Sequence, residues 1–179
     1  MKVAQTLIRA GSEHRKFMRQ IFVTVDITAP LYWWKEFDTY KVGTVANSTS
    51  TMHTIQKKPI TIDSFEIDDL DTDFEISENY NFSDFVNCDL LPVLEMLRQK
   101  YNETKDRRYW KELIRWLPEG WQQTRTVTMN YENLLGMCSK GQRRNHKLTE
   151  WSDAFINFAR SLPYAQQFIF IDEPEPEED

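Results

Sequence analysis

The chain has 179 residues and a mass of 21.4 kDa, of which 40 % are apolar and 13 % aromatic; that supports a buried core and excludes a wholly disordered polymer. No apolar run reaches the roughly 18 residues that span a bilayer, and the start Met1-Lys2-Val3-Ala4-Gln5 lacks a secretory apolar core, so the expected place is the cytoplasm and no membrane partner is expected. A net charge of -6 argues against a duplex-DNA binder, which needs a basic face, but permits a local cationic pocket.

In chain order, Ile21, Val23, Val25 and Ile27 alternate with more polar residues and predict a half-buried strand over 21–27. Thr28 reads as the N-cap of a following helix, with Pro30 in its first turn and Leu31, Trp33, Trp34 and Phe37 along it. Residues 41–54 are rich in Ser, Thr, Gly and Asn and carry no periodic apolar face, so they read as a loop. Helical spacing returns over 90–101 and 105–116, the second ended by Leu117-Pro118. Residues 124–129 alternate as a short strand, and Asn130 caps a helix through Leu134, Leu135 and Met137 that Gly141 stops. A last helix is expected over 149–162, with Trp151, Phe155, Phe158 and Leu162 on one face. The pattern is α+β with helices dominant, a single domain over 1–171, and the aromatic stripes read as core.

Charge is unevenly placed. Asp172 to Asp179 holds six acids with Pro174 and Pro176 and reads as a solvated tail. Asp63 to Asp89 holds ten acids and neither Lys nor Arg; the run is expected to be a surface insertion within 61–89, with a cover over a neighbouring subunit as the other possibility. Basic residues concentrate over 98–125 and 140–147. The five glycines are never clustered, which removes a phosphate-cradling glycine loop, and His14, His53 and His146 lack metal-ligand spacing. No metal is expected. Cys88 and Cys138 read as free thiols; a Cys138–His146 nucleophile pair is conceivable, but plain packing is the better account of either residue.

Thr39 to Thr51 reads Thr-Tyr-Lys-Val-Gly-Thr-Val-Ala-Asn-Ser-Thr-Ser-Thr, after a strand and a helix. These residues resemble the flavin-dependent thymidylate synthase family, whose signature is Arg-His-Arg-x-x-Ser-x-x-x-x-Ser-x-Arg in the same place. Without a gap, the two serines fall on Thr44 and Thr49 and the second arginine on Lys41; a shift of one uses Ser50. Thr39, Tyr40 and Thr51 stand where the family has its first arginine, its histidine and its last arginine. Downstream, Leu117-Pro118 with Thr126-Val-Thr-Met-Asn130 is similar to the family's stretch before its nucleotide-binding helix, with Glu132 at an arginine position. Arg143 or Arg144 stands near the arginine that engages the uracil nucleotide, and His146-Lys-Leu-Thr-Glu-Trp151 resembles a further family segment. The resemblance implies a helix-rich synthase-like fold with a small, mainly antiparallel sheet, and a homotetramer with sites between subunits.

The family's protein contribution is largely orientation and charge, delivered by arginine forks. Three neutral residues at cationic positions lose charge-assisted hydrogen bonds of about 1.5–3 kcal/mol each. The resulting expectation is a non-catalytic oligomeric binder of a nucleotide-like phosphorylated ligand, of the kind a phage protein uses to sequester a host nucleotide signal. No catalytic residue and no cofactor are expected; the ligand-binding candidates are Lys41, Thr44, Ser48, Thr49, Ser50, Arg143, Arg144, His146 and Lys147. The alternatives are a divergent synthase that methylates dUMP with FAD, and a protein-interaction module using the Trp33-Trp34 helix and the acidic segment.

Overall fold

The alternating stretch forms strand β1, Phe22–Pro30, in a computed structural model that describes residues 1–40, 42–141 and 146–173. Ile21, Val23, Val25 and Ile27 are half-buried while Phe22, Thr24, Asp26 and Thr28 are exposed, as a period of two requires. The strand runs three residues beyond the expected end, and Thr28 is not a helix cap. Its hydroxyl bonds the Thr124 hydroxyl at 2.7 Å on strand β5, Gln122–Asn130, so cross-strand pairing takes the side chain that a cap would have used. Helix α2, Leu31–Phe37, therefore begins after Pro30 rather than through it.

β1 and β5 are antiparallel: Thr24 bonds Thr128 and Asp26 bonds Thr126, so one strand climbs as the other descends. A third strand, β2, Val45–Ser48, completes the order β1-β5-β2. β2 and the short helix α3, Thr51–Thr54, replace part of the loop expected over 41–54. All four β2 residues are exposed, which is why no alternation betrayed the strand.

The chain divides into two compact units. The first comprises the described residues of Met1–Ile27, Trp33–Asn47 and Arg125–Asp179; the second comprises Thr28–Tyr32 and Ser48–Thr124. In the first unit Trp33, Trp34, Phe37, Trp151 and Phe155 pack ring on ring, with Trp33 stacked on Phe37 at 5.3 Å and 5.2 Å from Trp151. Trp33 and Trp34 are 2 % and 1 % exposed, so they are core and offer no face to a partner chain. Asn130 caps helix α7, Tyr131–Met137, as expected, in a reciprocal box with Asn133. α7 ends at Cys138, short of Gly141, and the final helix opens as a π-helical segment, Glu150–Phe155, before Ile156–Arg160.

In the second unit, helices α5, Leu91–Thr104, and α6, Arg107–Arg115, bury Leu94 and Leu113 against Ile55, Ile60 and Phe65. Phe65 anchors the start of the acidic run by a bridge to Trp121, and Val86 buries its end. Between them lies a two-stranded antiparallel hairpin, an exposed Glu75–Ser77 with a half-buried Tyr80–Asn81. Among the described residues no helix is long and apolar enough to cross a membrane, and no group of His, Cys, Asp or Glu is placed to hold a metal ion. Cys88 is exposed, Cys138 is buried, and neither is in a disulfide.

Candidate functional site

Gly43 starts the hydroxyl segment. Its φ of +84° is a left-handed conformation that suits glycine, and an added Cβ would stand 3.2 Å from the Asn130 amide nitrogen and 3.3 Å from Asn133. Asn133 also donates to the Val42 carbonyl at 2.6 Å, which ties the segment to the capped end of α7 in the first unit. The Thr44 hydroxyl follows and donates to the Tyr40 carbonyl at 3.4 Å.

Tyr40 and His146 meet at Trp151 in the same unit. The Tyr40 ring lies 5.6 Å from Trp151, and the His146 ring stacks on it at 4.9 Å with planes 7° apart. His146 Nδ1 accepts from the Leu148 amide at 3.2 Å, and Nε2 faces a Glu36 carboxylate oxygen at 3.7 Å. Burial raises the Tyr40 hydroxyl's pKa, with the Glu36 and Cys138 charges adding to it. His146 is thus seated by Trp151, Glu36 and Leu148, which favours the packing account over a nucleophile pair. Lys147 is exposed. Lys41, Arg143 and Arg144 lie outside the described residues.

Ser48, Thr49 and Ser50 belong to the second unit and come together in one turn. The Ser50 amide donates to Ser48 Oγ at 3.3 Å, and the Thr49 amide and hydroxyl both donate to the Thr124 carbonyl, at 3.0 and 3.2 Å. Ser50 itself has φ of 51°, a strained value for serine, and its carbonyl accepts from the Thr54 hydroxyl at 2.9 Å.

The cations are mostly engaged nearby. Arg98 pairs with Glu95, Arg108 with Asp106 and Arg115 with Glu112. Arg125 donates to both Asp38 oxygens at 3.1 and 3.3 Å and lies over the Trp34 ring at 4.3 Å. Glu132, at a family arginine position, is gripped by Arg19 and by Arg15, whose Nε is 3.2 Å away; hydrogen bonding from Arg19 leads the fall in its pKa.

Lys57 and Lys58, which sequence reasoning passed over, have no carboxylate partner among the described residues and line a cavity of about 460 Å³ in the second unit. Thr49 and Trp121 line it too. The signal available was the Lys57-Lys58-Pro59 run beside the hydroxyl segment; Trp121 lies far along the chain and gave none.

No family model matches the sequence, and no curated protein matches it. Solved structures do match in shape. A crystal structure of the flavin-dependent thymidylate synthase ThyX from Helicobacter pylori complexed with FAD and dUMP superposes with a TM-score of 0.60 at 16 % identity, over 94 % of this chain and 82 % of that one. A second structure of the same enzyme with FAD and dUMP gives 0.62 at 16 % identity, over 96 % and 83 %. The fold is that of a flavin-dependent thymidylate synthase. The synthase fold was expected from the strand, helix and hydroxyl segment in their order, and it is present.

Among the described residues, three positions of the donor set depart from the flavin grip that the resemblance implies. Thr39 donates its hydroxyl to the Glu36 carbonyl at 2.8 Å, Tyr40 packs on Trp151, and the Thr51 hydroxyl accepts from Gln123 at 2.8 Å. Each residue is neutral and makes its contact within its own unit. None supplies the planar, doubly donating cation that holds a diphosphate.

Proposed function

We propose that the chain is a non-catalytic, self-associating binder of a nucleotide-like phosphorylated ligand, built on a thymidylate-synthase-like fold. One observation carries this: Thr39, Tyr40 and Thr51, at the cationic positions of the family signature, are neutral and contact other residues of the chain. Losing even two charge-assisted bonds weakens a cofactor site by roughly two to four decades. The ligand class is supported by the hydroxyls gathered at Ser48, Thr49 and Ser50 and by two solved structures of this fold that hold dUMP. A binder without turnover acts by sequestering what it holds.

Purified protein should be colourless, retain no added FAD through gel filtration, and bind dUMP or another nucleoside phosphate saturably in a calorimetric titration. Retained flavin together with conversion of dUMP would overturn the proposal.

A second reading, a divergent synthase that methylates dUMP with FAD, is favoured by the presence of both molecules in the two H. pylori structures described above. A yellow protein as purified is its first expected sign.

A further inference from the structure

We infer that the cavity lined by Lys57, Lys58 and Trp121 is the place where the phosphorylated ligand docks, the lysines taking the phosphate and the Trp121 side the base. None of these three residues belongs to the signature on which the family resemblance rests. The inference deepens the binder proposal and rests on it.

The site is built from the main chain outward. Helix α5 clamps the segment bearing both lysines on either side. The Gln56 carbonyl accepts from Arg98 Nη1 at 3.0 Å and from Asn102 at 2.9 Å. Beyond the lysines, the Ile60 amide donates to Glu95 Oε2 at 3.0 Å, and Glu95 is itself paired with Arg98 at 2.5 Å. Ile55 and Ile60, buried at 3 % and 4 % exposure, flank the same stretch. Lys57 and Lys58 are therefore presented from a fixed backbone, which lowers the ordering cost of binding.

In the same cavity lining, Trp121 is half-buried, with its ring edge-on to Phe65 at 5.5 Å. The Trp121 carbonyl accepts from the Leu31 amide at 3.1 Å, which holds this start of β5 in place. Thr49 and Ser64 add hydroxyls to the lining, and Asp63 adds one carboxylate. Two ammonium groups against one carboxylate leave a net positive site, so a dianionic phosphate is favoured and a neutral ligand is not. A volume of about 460 Å³ lies in the range of small-ligand pockets. Lysine binds phosphate as a compact charge rather than as a fork, which suits a terminal phosphomonoester better than a bridged diphosphate.

The probes are dUMP, deoxyuridine and inorganic phosphate, titrated by calorimetry into the full chain, the double variant Lys57→Gln/Lys58→Gln and the variant Trp121→Leu. Expected are saturable dUMP binding to the parent, at least tenfold weaker binding to the double variant, a weaker grip on deoxyuridine, and weakening of dUMP but not of inorganic phosphate in Trp121→Leu. Circular dichroism and melting of the double variant should match the parent, because both lysines are exposed. If dUMP binds the parent and the double variant equally, the location is wrong while the binder proposal stands. If the parent binds none of the three probes, both fall.

Discussion

At Gly43 the backbone conformation and the space around it make the same demand. Any other residue must hold φ near +84° and push a Cβ into the paired amides of Asn130 and Asn133. Gly43→Ala is expected to lower stability by about 2 kcal/mol in urea unfolding, and an unchanged midpoint would show that the segment is not docked on α7 as described. Glu95 carries a different kind of information. Hydrogen bonds from Arg98 hold its carboxyl at about 2, with the Ile60 amide and Gln99 assisting. The folded value lies below the unfolded one of 4.5, so its contribution is complete above that value and is lost as pH falls toward about 2. The stake is on the order of 2–3 kcal/mol. Unfolding free energies measured between pH 5 and pH 2 should fall more steeply for the parent than for Glu95→Gln; parallel curves would show that the clamp beside Lys57 contributes nothing.

At the scale of elements, local chemistry and long-range pairing divide the outcomes. Asn130 begins α7 because its side chain accepts from the Asn133 amide while the Asn133 side chain answers at the Asn130 amide, both at 3.0 Å. Both partners lie within one turn, so this cap was legible in the sequence. Asn130→Ala should lose about 1–2 kcal/mol by chemical unfolding, with α7 fraying first in amide exchange. Thr28 has the same capping chemistry but a partner 96 residues away, and the pairing of β1 with β5 claims it. The helices α5 and α6 followed from their apolar spacing to within three residues at each end, because burying one face is enough to decide a helix. The strand β2 did not follow, because an exposed edge strand has no buried face to show.

For the molecule as a whole, two cores coexist: an aromatic one around Trp33, Phe37 and Trp151, and a largely aliphatic one around Leu94 and Leu113. β1 and β5 each contribute residues to both units. Self-association, as the fold resemblance implies, is testable directly: native mass spectrometry is expected to show a tetramer near four times 21.4 kDa, and a monomer at micromolar concentration would remove the oligomeric part of the proposal.

The sequence alone determined the alternation of β1, the spacing of the long helices, the Asn130 cap and the order of elements that led to the synthase fold, since each depends on neighbours within a few residues or on a periodic apolar face. Tertiary structure decided the rest. It set the Tyr40 ring against Trp151 and Thr51 against Gln123, engaged Arg125 with Asp38, and brought Lys57 and Lys58 into one cavity lining with Trp121. Those outcomes depend on which distant groups share a cavity or a charge, and chain order carries no distance between residues more than 60 positions apart.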